Sequence, residues 1–504
     1  MSGQNERAAD AVEIGRLAAL PELEYWRMRR EAAQRLGIPV RILDQQVGAA
    51  RRAATRQAES REVEMSQDAA AERFAEAYAA SMRFVAAWGK WLIWNGQRWE
   101  DDQTLLAFDR ARQICRTIAR GCYEDDMARA MASAAGVAAV ERLAKSDRRL
   151  AATPEQWDAA PWLLNTPGGI VDLRTGKLHP HDPAAFMTKI TKATPGGECP
   201  LWLVFLDRIT GGDAELAGFI QRVAGLALTG ITRDHALFFG YGTGSNGKGV
   251  LINTLSGLMG DYAEVATMDT FTASPTDRHP ADLAKLRGAR LLVAQETEEG
   301  RAWAESRIKA MTGGDPIAAR FMRQDFFTYV PQFKLLIAGN HKPSLRGVDE
   351  ALRRRFHLIP FSITIPAAER DADLPEKLKS EWGGILAWAI EGCLAWQRIG
   401  LAPPPAVTGA TAEYLNSEDS IGAWLDERTR RVGYGTETGA LFTDWVAWAK
   451  AAGEEPGSLK RFVQSLAGRG LRAGKNRETR RSEIAGLALA DVVRSHFETD
   501  GDWS

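Results

Sequence analysis

The chain has 504 residues, of which 45% are hydrophobic and 26% are charged, and its formal net charge is −1. This length suits about three or four domains, each able to bury its own core, and excludes a single small module. A basic surface can be masked by acidic surfaces elsewhere, so the near-neutral total does not exclude nucleic-acid binding.

The four cysteines are far apart and form no C-x₂-C pair. This spacing argues against a zinc site and a disulfide framework, and it fits a reducing compartment. No apolar run reaches the roughly 18 residues of a membrane span, and the N-terminus has no signal-peptide core. We therefore expect a soluble cytoplasmic protein without a membrane partner.

Residues 1–66 are predicted to form a helical module. Apolar residues recur at helical spacing from Val12 to Leu20 and again from Ile42 to Val47. The arginines that follow fit a solvated helix face better than a nucleic-acid contact, so we assign this module no chemistry.

Residues 67–195 mix helical and strand patterns and are predicted to form an α+β domain. One hairpin is expected over residues 88–99, with its turn at Asn95-Gly96. A second is expected over residues 169–178, with its turn at residues 174–176.

Residues 196–370 alternate strand and helix patterns, which predicts an α/β domain with a mostly parallel sheet. A short buried strand ends at Phe239, a glycine-rich turn follows, and an amphipathic helix begins at Val250. That order is typical of a phosphate-binding loop, although an incidental glycine-rich turn is the alternative. The residues predicted to bind ATP are Gly242, Thr243, Gly244, Ser245, Asn246, Gly247, Lys248, Gly249 and Val250.

The loop departs from its usual form, G-x-x-x-x-G-K-[ST], at its last residue. Lys248 is in position to reach the β- and γ-phosphates, but Gly249 replaces the residue whose hydroxyl usually binds Mg²⁺. A metal ion would then depend more on phosphate oxygens, water and acidic residues from another strand.

Polar residues follow two further apolar strands of the same predicted domain. Glu296 and Glu298 come two and four positions after residues 290–294, and Asn340 comes two positions after residues 334–338. Ligands of open α/β sheets bind at the carboxyl ends of the strands. We expect Glu296 to hold Mg²⁺ or its water shell, Glu298 to be a second acidic group, and Asn340 to orient the attacking water. A solvated acidic turn is the alternative for the glutamates.

An arginine cluster precedes the last apolar strand. Arg354 and Arg355 could neutralise charge that develops on a phosphate, and in a ring such an arginine can reach the nucleotide of a neighbouring subunit. Surface salt bridges are the alternative. Of the two residues, we expect Arg354 to be the more important.

Residues 371–405 are predicted to be a helical extension that ends in a proline-rich linker, and residues 406–504 a separate winged-helix-like domain. Lys460 and Arg461 lie near the start of a predicted helix, and Arg477 lies in a polar hairpin-like stretch. A recognition helix with a basic wing has this pattern, and a charged wing that faces solvent is the alternative.

Taken in order, these motifs resemble the superfamily 3 helicases, in the phage and plasmid primase-helicase branch related to the poxvirus primase-helicase. The resemblance extends upstream to about residue 80. The residues that carry it are the loop at 242–248, the acidic run at 296–299, Thr312 to Ile317, Asn340, and Arg354-Arg355 before residues 359–361.

The resemblance implies an AAA+ fold that uses ATP and Mg²⁺, assembles as a homohexamer and moves 3′ to 5′ on single-stranded or forked DNA. It implies a phage or mobile-element protein in a bacterial host, and it makes Gly249 an accepted variant. Residues 309–327 match the motif that sends a hairpin into the central channel, which makes Lys309, Arg320 and Arg323 expected DNA contacts.

Two other functions stay open at this point. The chain could be a replication initiator or another DNA-binding protein whose ATPase only switches its assembly. It could also be a combined primase-helicase, but no catalytic carboxylate motif for primer synthesis is legible. We therefore expect any primase to be on a separate chain.

Overall fold

The computed structural model describes residues 2–273, 281–295, 302–320, 326–345, 348–454, 456–476 and 479–490. The backbone divides into two compact units, one formed by residues 1–95 and 99–156 and the other by residues 96–98 and 157–504. The predicted Glu296, Glu298, Arg323 and Arg477 are outside the described residues.

The first unit begins with three helices, as the apolar spacing predicts. They are α1 (Ser2–Ala18), α2 (Glu22–Arg35) and α3 (Val40–Glu64). Leu17, Leu43 and Val47 are buried where the helices meet. Arg51 donates to the backbone carbonyls of Ala18 and Leu20, at 3.1 and 2.7 Å, so it closes the end of α1.

The rest of the first unit mixes helices with a small sheet. Its elements are α4 (Gln67–Tyr78), β1 (Met82–Val85), β2 (Lys90–Trp94), β3 (Trp99–Asp101), α5 (Leu106–Arg120), α6 (Asp125–Ala132), α7 (Ala134–Ala144) and β4 (Ala151–Ala152). The described strands pair in the order β3-β2-β1-β4. The first predicted hairpin is confirmed, because Trp94 pairs with Trp99 and Gly96 has φ +97° in the turn between them.

The second unit contains the remaining elements. The first group is β5 (Leu163–Thr166), β6 (Gly169–Asp172), β7 (Lys177–His179), α8 (Pro200–Thr210), α9 (Ala214–Leu228), β8 (Leu237–Tyr241), α10 (Lys248–Met259), β9 (Ala263–Val265), α11 (Ala281–Ala284), β10 (Leu291–Gln295), α12 (Glu305–Gly313), β11 (Ile317–Ala319), β12 (Phe327–Tyr329) and β13 (Lys334–Gly339). The second group is α13 (Glu350–Arg353), β14 (Phe356–Pro360), α14 (Leu374–Lys379), α15 (Trp382–Ile399), α16 (Pro405–Ser417), α17 (Ser420–Arg428), β15 (Thr429–Glu437), α18 (Thr438–Ala451), α19 (Leu459–Gly468), β16 (Ala473–Lys475) and β17 (Ser482–Leu489).

A parallel sheet forms the centre of the second unit, which confirms the predicted α/β class. Among the described residues its strands run in the order β14-β8-β13-β10-β9, and every neighbouring pair is parallel. Both faces are covered. Phe238 packs against α9 and α15, while Leu237 and Phe239 pack on the opposite face with α12 and α16. Burial on both faces explains why these strands read as continuous apolar runs.

The predicted hairpin over residues 169–178 is also confirmed, as β6 and β7 with Gly176 at φ +74° in the turn. It joins β5 in a small sheet of the second unit, where Leu164 and Val171 share a core with α8 and α9. The predicted division into five segments stays a prediction.

The proline segment at 401–404 is fixed to the second unit. Leu401 is buried, and Arg222 donates to the carbonyls of Leu401 and Ala402 at 2.8 and 3.0 Å. Helix α16 then packs on β14 through Tyr414, so it shares the core of the sheet. A separate core forms only after α16, from α17 to β17, around Trp424, Trp445 and Phe462. We call residues 420–489 the C-terminal subdomain.

Candidate nucleotide site

The loop between β8 and α10 needs its glycines for two physical reasons. Gly244 and Gly247 have φ values of +110° and +81°, a region that side chains disfavour. A Cβ on Gly242 would overlap the side chain of Asn246 and the carbonyl of Phe361. The chain can therefore make this tight turn only with glycine at these positions, as a phosphate-binding loop requires.

Lys248 is the charged residue enclosed by the loop. Its side-chain nitrogen donates to three oxygens: the Gly242 carbonyl at 2.6 Å, Asn246 Oδ1 at 3.0 Å and Asn340 Oδ1 at 3.1 Å. The residue is only 6% exposed, and burial lowers the pKa of its ammonium group. A bound phosphate would favour the charged form, because it places negative oxygens beside the ammonium group.

Asn340 reaches Lys248 because of the strand order. It follows β13 directly, and β13 is the parallel neighbour of β8, whose end leads into the loop. The structure thus brings these two predicted site residues together, with 3.1 Å between Lys248 Nζ and Asn340 Oδ1. The role of Asn340 in orienting water stays a prediction.

The end of β10 also reaches the loop. Gln295, the last residue of β10, donates from Nε2 to Asn253 Oδ1 of α10 at 2.7 Å. A Cβ built on Gly249 would lie 3.9 Å from Gln295 Oε1, so the glycine leaves room for a side chain. Sequence reasoning missed Gln295 and Asn253, although the position of Gln295 at the strand end was a usable signal.

The described part of this edge fits a magnesium ion that is held mainly by a nucleotide. It has no group of three or more His, Cys, Asp or Glu residues that could hold a metal by themselves. It does offer the amide oxygens of Gln295 and Asn253, and oxygen is the ligand that Mg²⁺ prefers. Since β10 ends here, Glu296 is the next residue in sequence.

Gly249→Ser tests whether the missing hydroxyl matters. The space beside Gln295 accommodates serine, and a hydroxyl there would add one oxygen ligand. We expect the Mg²⁺ concentration that half-saturates binding of a fluorescent ATP analogue to fall by about tenfold, which corresponds to about 1.4 kcal/mol.

Gly249→Ala is the matched control, because it fills the same space and raises helix propensity without adding an oxygen. Serine and alanine variants with the same Mg²⁺ dependence would contradict a role for the hydroxyl. They would show that the site is complete without it.

The three consecutive arginines at 353–355 have different surroundings. Arg354 is exposed and has no side-chain partner among the described residues. Arg355 is buried, and its Nη1 donates to the carbonyl of Ala351 at 2.8 Å, so it stabilises its own turn. Arg353 contacts Asn416 and Asp419. Arg355 is therefore less accessible to another subunit than Arg354, and the roles of both arginines stay predictions.

The hairpin expected here is present as the antiparallel pair β11 and β12, in which Ala319 pairs with Phe327, and its place in a central channel stays a prediction. Arg320 lies near the tip, with its guanidinium 4.8 Å from the ring centroid of Phe326. Phe326 is 61% exposed. Lys309, by contrast, lies on α12 and forms an ion pair with Asp349 at the start of α13, so the structure gives it a local partner.

Lys460 and Arg461 are exposed in the first turn of α19, which Ser458 caps by accepting from the Arg461 amide at 3.3 Å. After α19 the chain forms β16 and β17, and β17 pairs with β15 on its other side. Arg472 and Lys475 are exposed near β16. Lys460 and Arg461 therefore lie on an accessible helix, and Arg472 and Lys475 lie beside a hairpin.

Comparison with protein families matches two parts of the chain. A model described as "D5 N terminal like" matches residues 71–211, and a model described as a family of unknown function (DUF5906) matches residues 240–355. The second match includes the glycine-rich loop between β8 and α10, Asn340 and Arg354. Among the described residues, helices are too short or too polar to cross a membrane.

Two curated viral proteins are similar to part of the chain. One is named "Putative helicase 022R", from Frog virus 3, and is 27% identical over 256 residues, which is 45% of this chain and 26% of that protein. The other is named "Putative helicase L207/L206", from Acanthamoeba polyphaga mimivirus, and is 25% identical over 279 residues, which is 50% of this chain and 29% of that protein. The matched stretch thus spans less than a third of either relative.

Among solved structures, the chain is similar to an apo structure of the NrS-1 C-terminal region. The alignment covers 80% of this chain and 95% of that chain, with 11% identity and a TM-score of 0.44. A second structure, of residues 305–718 of the same region, gives 12% identity and a TM-score of 0.42, over 77% of this chain and 84% of that chain.

Proposed function

We propose, from its membership of the phage and viral primase-helicase family, that this chain is an ATP-driven DNA helicase. It would act in the replication of a phage, prophage or plasmid. The working form would be a ring, with six copies as our proposal, that moves 3′ to 5′ on single-stranded DNA.

The observation that carries this proposal is the enclosed Lys248. Its ammonium group meets the loop carbonyl of Gly242 and the side chain of Asn340 at the edge where β8 and β13 end. The strand order places β13 between β8 and β10, so Asn340 lies between the loop and the strand that leads to Glu296. This arrangement supports the AAA+ class, and it suits hydrolysis of a nucleotide triphosphate.

Four residues at or near this edge of the sheet would have separate roles in hydrolysis. Lys248 would bind the β- and γ-phosphates, Asn340 would orient the attacking water, and Glu296 with Glu298 would polarise that water and hold the metal's water shell. When bound, Mg²⁺ supplies positive charge that neutralises the phosphate oxygens. Arg354 is exposed and would reach the nucleotide of the next subunit.

Two basic regions would contact DNA. The β11/β12 hairpin presents Arg320 and the exposed Phe326, which offer a phosphate contact and a surface for base stacking. The C-terminal subdomain has the element order helix, strand, helix, helix, strand, strand, which supports a winged helix with α19 as the recognition helix.

Unwinding of a forked duplex tests the proposal. We expect strand separation with ATP and Mg²⁺, and none with a non-hydrolysable analogue or on a fork without a 3′ single-stranded arm. Assembly on DNA without strand separation would favour the ATP-switched initiator instead. Incorporation of ribonucleotides on a single-stranded template would show that the chain also makes primers.

A further inference from the structure

The short helix α13, which leads into Arg354, is linked to the C-terminal subdomain through the carboxylate of Asp419. Arg353 immediately precedes Arg354, and each of its two terminal nitrogens has a side-chain partner. One donates to Asn416 Oδ1 at 3.1 Å, and the other donates to Asp419 Oδ2 at 3.0 Å. Asp419 lies between α16 and α17, where the C-terminal subdomain begins.

The second oxygen of Asp419 accepts from Arg469, the residue that follows α19. The Asp419 side chain is only 13% exposed, so both ion pairs are largely shielded from water. The carboxylate is also fixed in place: the Gly422 amide donates to Oδ1 at 3.0 Å, and a Cβ on Gly422 would lie 2.7 Å from Oδ2. A helix cap needs only the Gly422 contact, so the two arginines are additional partners.

Residues 414–419, which include Asp419, also make hydrogen bonds to the loop that follows Asn340. Tyr414 donates its hydroxyl hydrogen to the carbonyl of Pro343, and it accepts from Trp303 Nε1 at 2.9 Å. Glu418 accepts from the amide of Leu345 at 2.7 Å. Residues 414–419 therefore contact both the loop that follows Asn340 and helix α13. Their last residue, Asp419, contacts Arg469 at the end of α19.

We propose that Asp419 is a positioning residue that transmits DNA binding at α19 to Arg354. The α19 helix is about 15 Å long, and Lys460 and Arg461 in its first turn are joined by its continuous backbone to Arg469 at its other end. A shift of the helix on binding DNA would therefore displace Arg469. A displacement of Arg469 would shift the Asp419 carboxylate through their ion pair. Asp419 would in turn shift Arg353, the neighbour of Arg354. The inference rests on the proposed function for the roles of Arg354 and α19.

Asp419→Asn tests the link with little change in shape, because the amide oxygen still caps α17 while both charge pairs are lost. We expect the ratio of ATP turnover with and without single-stranded DNA to fall by about tenfold, a usual size for coupling between two sites. DNA affinity, measured by fluorescence anisotropy, should stay within about twofold of wild type. Arg469→Gln should give the same loss, and combining the two should add little to it, because they break the same link.

Asp444→Asn is the matched control. It breaks a part-buried ion pair with Arg428 inside the C-terminal subdomain, but it does not touch α13. The control should keep the wild-type ratio. An equal fall in both variants would overturn the proposal, because it would show a general loss of subdomain structure.

Amide hydrogen exchange of residues 349–355 separates this inference from the helicase proposal, because it needs no hydrolysis. Saturating single-stranded DNA should change exchange there by severalfold in wild type and not in Asp419→Asn. If DNA changes amide exchange at residues 349–355 in a wild-type protein that hydrolyses no ATP, the result would support the link through Asp419 and refute the helicase proposal. Hydrolysis and unwinding with no change at 349–355 would overturn the link alone.

Discussion

Replacing Lys248 by alanine is expected to lower the rate of ATP hydrolysis by at least about 100-fold, the usual loss when one preorganised charge donor is removed. The ammonium group is the positive charge that the loop encloses, and its three oxygen partners fix its position before nucleotide arrives. The alanine variant would leave the loop with backbone amides alone. We also expect weaker binding of ATP analogues, because the phosphates lose their nearest cation.

Phosphate release by purified protein, with thermal unfolding followed in parallel, checks this prediction. We expect the variant to stay folded, because the loss of about 1 kcal/mol for each hydrogen bond is partly offset by the cost of burying the ammonium group. Lys342→Ala is the matched control: Lys342 lies at the same edge, 4.6 Å from the ring centroid of Tyr241, and reaches no loop oxygen among the described residues. Full activity in Lys248→Ala would refute the assignment of the site.

The sequence alone predicts the centre of this site because local rules determine it. Apolar runs that end in glycine or asparagine identify β8 and β13, and parallel strands bring their carboxyl ends to one edge. The contact between Lys248 and Asn340 follows from those two facts. The loop glycines are equally local, since the positive φ values of Gly244 and Gly247 strongly favour glycine, which has no Cβ.

The arginine cluster shows what a sequence cannot supply. Three consecutive arginines have the same chemistry, and their different roles depend on how α13 is rotated against its neighbours. The Arg355 side chain is buried and the Arg354 side chain is exposed. Arg353 forms an ion pair with Asp419, which is 66 residues away in sequence. The ion pair between Lys309 and Asp349 depends on the same packing. Such partners come from tertiary contacts that no local pattern encodes.

Arg354→Ala is expected to lower ATP turnover by about 1000-fold, the lower end of the range for arginines that act on a neighbouring nucleotide. Its exposure and its lack of a side-chain partner among the described residues leave it available to another subunit. If Arg354 acts only across the interface between two subunits, a second result is expected. Two inactive variants, Lys248→Ala and Arg354→Ala, should regain activity when they are mixed.

In a mixed ring, a site is intact when one subunit supplies Lys248 and its neighbour supplies Arg354. Equal amounts of the two variants, exchanged at random, give about a quarter of the wild-type sites, so the mixture should recover about a quarter of the rate. Mixing Lys248→Ala with the double variant Lys248→Ala/Arg354→Ala is the control, because no site in that ring has its lysine. If the first mixture stays as inactive as the control although its subunits exchange, Arg354 acts on the nucleotide of its own chain or on none. The exposed position of Arg354 would then need a different explanation, with DNA as the remaining anion within reach of a ring subunit.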